Sequence, residues 1–96
     1  MYTIDSIKKA VSPIGQIYGI KKIFLFGSYA KGNANDESDI DLLIEKGKPL
    51  SLLKLSSFRQ DVEDSLNLPV DVVTTSGIDE KFKNAIMGTE VLLYEE

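Results

Sequence analysis

Three aspartates and one glycine–serine turn have the types and spacing suited to chemistry. Asp39 and Asp41 flank Ile40 in the segment Ser38-Asp39-Ile40-Asp41-Leu42. On a strand, side chains alternate with a period of two. Both carboxylates then leave one face and Ile40 turns to the other. Adjacent carboxylates repel each other unless a cation lies between them, and an oxygen-only set suits Mg²⁺ or Mn²⁺. Asp71 stands between Val70 and Val72 in Val-Asp-Val-Val-Thr, an apolar β-branched run. Strand propensity disfavours an aspartate there, and period two places it on the face opposite the valines, as a third candidate ligand. Gly27-Ser28 directly follows the apolar run Ile23-Phe24-Leu25-Phe26. Glycine at that point permits positive φ or close approach of a ligand to the backbone. A helical turn opening at Ser28 offers free N–H groups to a phosphate, and the hydroxyl adds a donor. Each piece alone also has a plainer reading: a solvated strand edge, a turn with a capping serine, a surface aspartate. Together they are the kit for two-metal phosphoryl or nucleotidyl transfer.

Composition removes most competing chemistries. The chain has 96 residues, with no cysteine and no histidine. Disulfides, thiolate metal sites, cysteine nucleophiles, Ser-His-Asp triads and His-ligated zinc are therefore excluded. The formal net charge is −4. Binding along a phosphate backbone needs dense Lys and Arg, so direct nucleic-acid binding is not expected. Lys8-Lys9 and Lys21-Lys22 read as solvated ends of elements. No apolar run approaches the ~18 residues of a membrane span, and the N-terminal residues show no signal-peptide core. A cytoplasmic protein with no membrane association is expected, as one domain over residues 1–96.

The elements that must position these residues follow from periodicity. Ile4, Ile7, Val11, Ile14 and Ile17 recur at helical steps. Thr3 caps that helix and Gly19 ends it, while Pro13 should kink or restart it with Ser12 as a second cap. Ile23–Phe26 reads as a buried strand. Gly27–Ser38 reads as a loop with one helical turn after Gly27, and Ile40, Leu42, Leu43 and Ile44 mark a second strand with Asp39 and Asp41 near its start. Pro49 should open a helix with Leu52, Leu55, Phe58, Val62 and Leu66 on one face, stopped by Asn67–Pro69. Val70–Thr74 is a third strand, Ile78–Met87 a last helix stopped by Gly88, and Val91–Tyr94 a final short strand or docking segment.

Gly-Ser-x-Ala-x-Gly at Gly27–Gly32, followed by Ser-Asp-Ile-Asp-Leu, resembles the signature of nucleotidyltransferases of the DNA polymerase β superfamily. With the lead-in Ile-Lys-Lys-Ile-Phe-Leu-Phe and the chain's length, it resembles the minimal nucleotidyltransferase (MNT) domains of bacteria and archaea. The resemblance implies an α/β (α+β) fold, a small mixed β-sheet flanked by helices. It implies that Gly27 and Ser28 bind nucleotide phosphates. Lys31, where many relatives have arginine, would meet a phosphate as a point charge rather than a fork. Asp39, Asp41 and Asp71 would hold two metal ions, Mg²⁺ or Mn²⁺, with Asp71 able to act as general base toward the acceptor hydroxyl. The implied donor is ATP or another nucleoside triphosphate, with AMP transferred to a hydroxyl. The implied partner is a helical HEPN protein, this chain being the antitoxin of an MNT/HEPN toxin–antitoxin pair that modifies a partner tyrosine. Two alternatives stand beside this. One is a non-catalytic module that neutralises a partner by occlusion, against which the full carboxylate set weighs. The other is a small-molecule nucleotidyltransferase, a class that generally carries an added acceptor domain.

Overall fold

The computed structural model describes residues 2–35, 37–45, 47, 49–74 and 89–96. Along them run α1 (Ile4–Tyr18), β1 (Lys22–Phe26), α2 (Gly27–Lys31), β2 (Ile40–Glu45), α3 (Leu52–Leu66), β3 (Val70–Thr74) and β4 (Val91–Glu95). Among the described residues the strands form one sheet, in the order β3-β2-β1-β4. β1 is antiparallel to both β2 and β4, whereas β2 and β3 are parallel. The sheet is therefore mixed, as expected. Parallel neighbours need a long crossover, and α3 supplies it between β2 and β3. The expected helix at Ile78–Met87 and its stop at Gly88 lie outside the described residues.

Local chemistry explains the helix ends. Thr3 Oγ1 accepts the Ser6 N–H at 3.1 Å, and Gly19 closes α1 in the left-handed conformation. Pro13 sits inside α1, which continues to Tyr18, so the helix does not restart there. Ser12 is not a cap. Its hydroxyl lies 2.7 Å from the Lys8 carbonyl and 3.1 Å from the Leu93 carbonyl of β4, tying the helix to that strand. The buried stripe of α1 is Ile7, Val11 and Gly15, with Ile14 and Tyr18 partly covered. Ile17, expected on that stripe, is 78% exposed, because the contact line runs through Val11, Gly15 and Tyr18. A Cβ on Gly15 would lie 2.6 Å from Ile23 Cδ1, so the absent side chain lets α1 settle closely on β1.

α3 starts later than Pro49 suggests. Ser51 is its N-cap, accepting the Lys54 N–H at 3.2 Å, and Asn67 ends the helix at φ 55°. Leu52 consequently falls in the first turn, 85% exposed, while Phe58, Val62 and Leu66 are buried. Both long helices cover one sheet face. There Ile7, Val11, Ile23, Leu25, Ile40, Leu42, Ile44, Phe58, Val62, Leu66, Val70 and Leu93 form the main core. Tyr18 and Phe58 meet edge to face at 5.8 Å, and the Tyr18 hydroxyl donates to Asp61 at 2.6 Å. Alternation leaves Phe26 and Leu43 on the other face, in a second cluster with Phe24 and Val73. Lys21 and Lys22 lie where β1 begins, as expected of an element end, and meet Glu45 and Glu95. Lys8 and Lys9 lie inside α1 rather than at its end, exposed on its solvent side, where Lys9 meets Asp5 one turn earlier.

Candidate active site

The site assembles where β1 ends and β2 and β3 begin. Phe26, the last residue of β1, pairs with Asp41 on β2, and Asp41 pairs in parallel register with Asp71 on β3. Neighbours in register point to the same sheet face, so Asp41 and Asp71 share one, as period two predicts. Asp41 alternates with the core residues Ile40 and Leu42 and lies on the face of Phe26 and Leu43, away from both long helices. Asp71 is exposed and Asp41 half-buried.

Gly27 is required here for two reasons. Its φ is +74°, a conformation that L side chains resist. A Cβ on it would also lie 2.3 Å from Asp41 Oδ2 and 3.2 Å from Asp41 Cγ. The turn after β1 therefore runs directly against the Asp41 carboxylate. Ser28, half-buried, is the second residue of α2, and its carbonyl accepts the Asn33 N–H at 3.1 Å. Tyr29, the variable position of the motif, is buried in the main core and anchors this short helix. The sequence pattern had not singled it out. Lys31 is exposed in the last turn of α2 and makes no ion pair among the described residues.

Asp39 differs from expectation. β2 begins at Ile40, so Asp39 belongs to the preceding loop and not to the strand. A tight turn delivers it: the Ser38 N–H donates to the Asn35 carbonyl at 3.0 Å, and the Asn35 N–H donates to Ser38 Oγ at 2.9 Å. The three carboxylates nevertheless share one field. Burial raises the Asp41 pKa above its ordinary value, and the charges of Asp71 and then Asp39 push it further the same way. That is the response of a carboxylate among unneutralised neighbours. Among the described residues, no three His, Cys, Asp or Glu side chains are gathered closely enough to hold a metal ion. The donor set itself suits a hard divalent cation. It offers only oxygen ligands, two of them on adjacent strands, with a charge repulsion that a cation relieves.

A glycine turn against paired aspartates suits phosphoryl-group transfer, and comparison with known proteins gives the family. The nucleotidyltransferase domain family matches residues 4–91. The chain belongs to this family and is an enzyme of the nucleotidyltransferase class. A Methanocaldococcus jannaschii protein named for protein adenylyltransferase activity is 38% identical over 88 residues, covering 92% of this chain and 95% of its own length. The protein adenylyltransferase MntA of Thermococcus cleftensis is 32% identical over 82 residues, covering 81% of this chain and 83% of its own. In fold, the chain is similar to a minimal nucleotidyltransferase (TM-score 0.81, 24% identity, covering 94% of this chain and 95% of that one). It is also similar to a chain of a toxin–antitoxin complex crystallised with AMP-PNP (TM-score 0.80, 20% identity, covering 93% and 73%). A third neighbour comes from a Shewanella oneidensis MNT antitoxin complex with tri-AMPylated HEPN toxin (TM-score 0.75, 17% identity, covering 98% and 74%).

Proposed function

We propose that this protein transfers AMP from ATP to a hydroxyl of a HEPN-type helical partner and so serves as the antitoxin of an MNT/HEPN pair. The observation that carries the reading is the in-register Asp41–Asp71 pair, with Gly27 against the Asp41 carboxylate. The relatives named as protein adenylyltransferases support the choice of reaction, and the neighbour in complex with an AMPylated HEPN toxin supports the choice of partner.

Asp39, Asp41 and Asp71 would hold divalent metal, Mg²⁺ or Mn²⁺, which when bound screens the triphosphate and acidifies the acceptor hydroxyl. Gly27 and Ser28 present backbone and hydroxyl donors to the phosphates, and Lys31 adds a point charge. Asp71, exposed at the start of β3, takes the acceptor's proton. The acceptor oxygen forms a bond to the α-phosphorus, the bond to the bridging oxygen breaks, and pyrophosphate leaves. The reading places the protein in the cytoplasm, where ATP is abundant. No described helix is long and apolar enough to cross a membrane.

Ligand linkage gives the test. Binding at a hundredfold excess over Kd stabilises by ~2.7 kcal/mol, and each kcal/mol moves Tm by ~4–8 °C in a domain of this size. ATP with Mg²⁺ should raise Tm by at least several degrees, ATP with EDTA far less, and Asp41→Asn should abolish the difference. A melting temperature indifferent to ATP and Mg²⁺ would remove the catalytic reading and leave occlusion.

A further inference from the structure

Glu63 lies half-buried near the end of α3 and serves two elements. Its backbone carbonyl accepts the Asn67 N–H at 2.6 Å, closing the helix. Its side chain reaches across the turn, where Oε2 accepts the Val70 N–H at 3.1 Å. Val70 is the first residue of β3, and Asp71 follows it. On the neighbouring strand the Ile40 N–H donates to the Pro69 carbonyl at 3.1 Å, and the β2–β3 register opens with Ile40 opposite Val70. The two bonds bracket the point where the strands meet, one step before Asp41 faces Asp71.

We propose that Glu63 is a positioning residue for the carboxylate pair, holding Asp71 in register with Asp41 through the Val70 amide. The inference rests on the reading of Asp41 and Asp71 as active-site carboxylates. β3 is an edge strand, so β2 alone pairs with it among the described residues, and a slip of one residue would send Asp71 to the core face. A carboxylate acceptor is suited to this task, because charge-assisted hydrogen bonds are roughly twice as strong as neutral ones. No other described side chain accepts the Val70 N–H. Glu63 itself needs no contact with substrate.

Three variants test this, read by amide hydrogen exchange and by calorimetric titration with ATP in the presence of Mg²⁺. Glu63→Met keeps length and removes the acceptor, Glu63→Gln keeps a neutral acceptor, and Asp41→Asn is the control for the site itself. With Glu63→Met, exchange at the Val70 and Asp71 amides should quicken while the Leu25 and Ile44 amides stay protected. Affinity for ATP with Mg²⁺ should fall by about 10–100-fold, the usual effect of losing a group that orients a ligand. Glu63→Gln should stay within a few-fold of wild type in affinity, with exchange at Val70 between wild type and Glu63→Met. Wild-type exchange and affinity in Glu63→Met overturn the proposal, as does a loss of affinity in Glu63→Met with exchange at Val70 and Asp71 unchanged, which would place the effect elsewhere than this hydrogen bond. If Glu63→Met does not fold, Glu63→Gln decides: exchange at Val70 identical to wild type overturns the charge-assisted clamp, and faster exchange confined to Val70 and Asp71 supports it. Unchanged ATP affinity in Asp41→Asn instead overturns the active-site reading, while the exchange data still report on the clamp.

Discussion

Asp41 is the residue on which the electrostatics of the site converge. Burial, then Asp71, then Asp39 raise its pKa. A carboxylate with a raised folded pKa binds its proton more tightly when folded. Its contribution to stability is therefore fully present below the unfolded value of about 3.9 and is lost as pH rises through the raised folded value. Asp41→Asn removes that titration. Without divalent metal, the variant should be at least as stable as wild type at neutral pH, and its advantage should grow as pH rises from about 4. Thermal melts across that range check this, and a wild type that gains on the variant with rising pH contradicts it. The same substitution should lower nucleotidyl transfer by more than ~100-fold, since loss of a mere orienting group already costs ~10–100-fold. Gly27→Ala acts on the same carboxylate from the other side. The positive φ alone costs a non-glycine residue roughly 1–2 kcal/mol. The new Cβ would also displace Asp41 Oδ2. Transfer should fall by about 100-fold, the scale of a ~1 Å misplacement, in protein that still folds.

Element ends and buried faces carry the fold, and they differ in how far the sequence reveals them. Phe58 is fully buried and packs edge to face on Tyr18. Phe58→Ala should cost about 3–5 kcal/mol in denaturant unfolding. Ser51→Ala should cost about 1 kcal/mol through the lost α3 cap. Leu52→Ala should stay within about 0.5 kcal/mol, because its side chain is in solvent. That contrast marks a limit of periodicity: Leu52 fits the helical spacing, yet it precedes the turn where α3 meets the sheet. Pro49 lies two residues before the cap, and Ser51 supplies the side-chain oxygen that a cap needs. Thr3, Gly19 and the strands were legible because each rests on chemistry within a few residues. The same-face placement of Asp41 and Asp71 was legible because alternation holds on both strands. A two-residue spacing cannot tell a strand's first residue from the loop before it, and so does not show that Asp39 lies one residue ahead of β2. Gly15, Tyr29, Ser12 and Glu63 were not legible, since their partners Ile23, the main core, Leu93 and Val70 lie far away or across a turn.

At the scale of the molecule, both long helices cover one face of the sheet, and the paired carboxylates belong to the other. Asp39 and Asp71 are exposed. Neither long helix covers that face, so among the described residues neither can orient the acceptor of a nucleotide held there by phosphates and metal, and orientation is worth orders of magnitude in rate. The isolated protein should therefore turn over small alcohols slowly and become effective when a helical partner brings its tyrosine to this edge. The decisive measurement is transfer from ATP labelled at its α-phosphate, with Mg²⁺, to a purified HEPN-type partner. The account predicts label on a partner tyrosine with wild-type protein, and none with Asp41→Asn, with EDTA, or with that tyrosine changed to phenylalanine. Undiminished labelling by Asp41→Asn, or equally fast labelling of unrelated proteins and small alcohols, would contradict it.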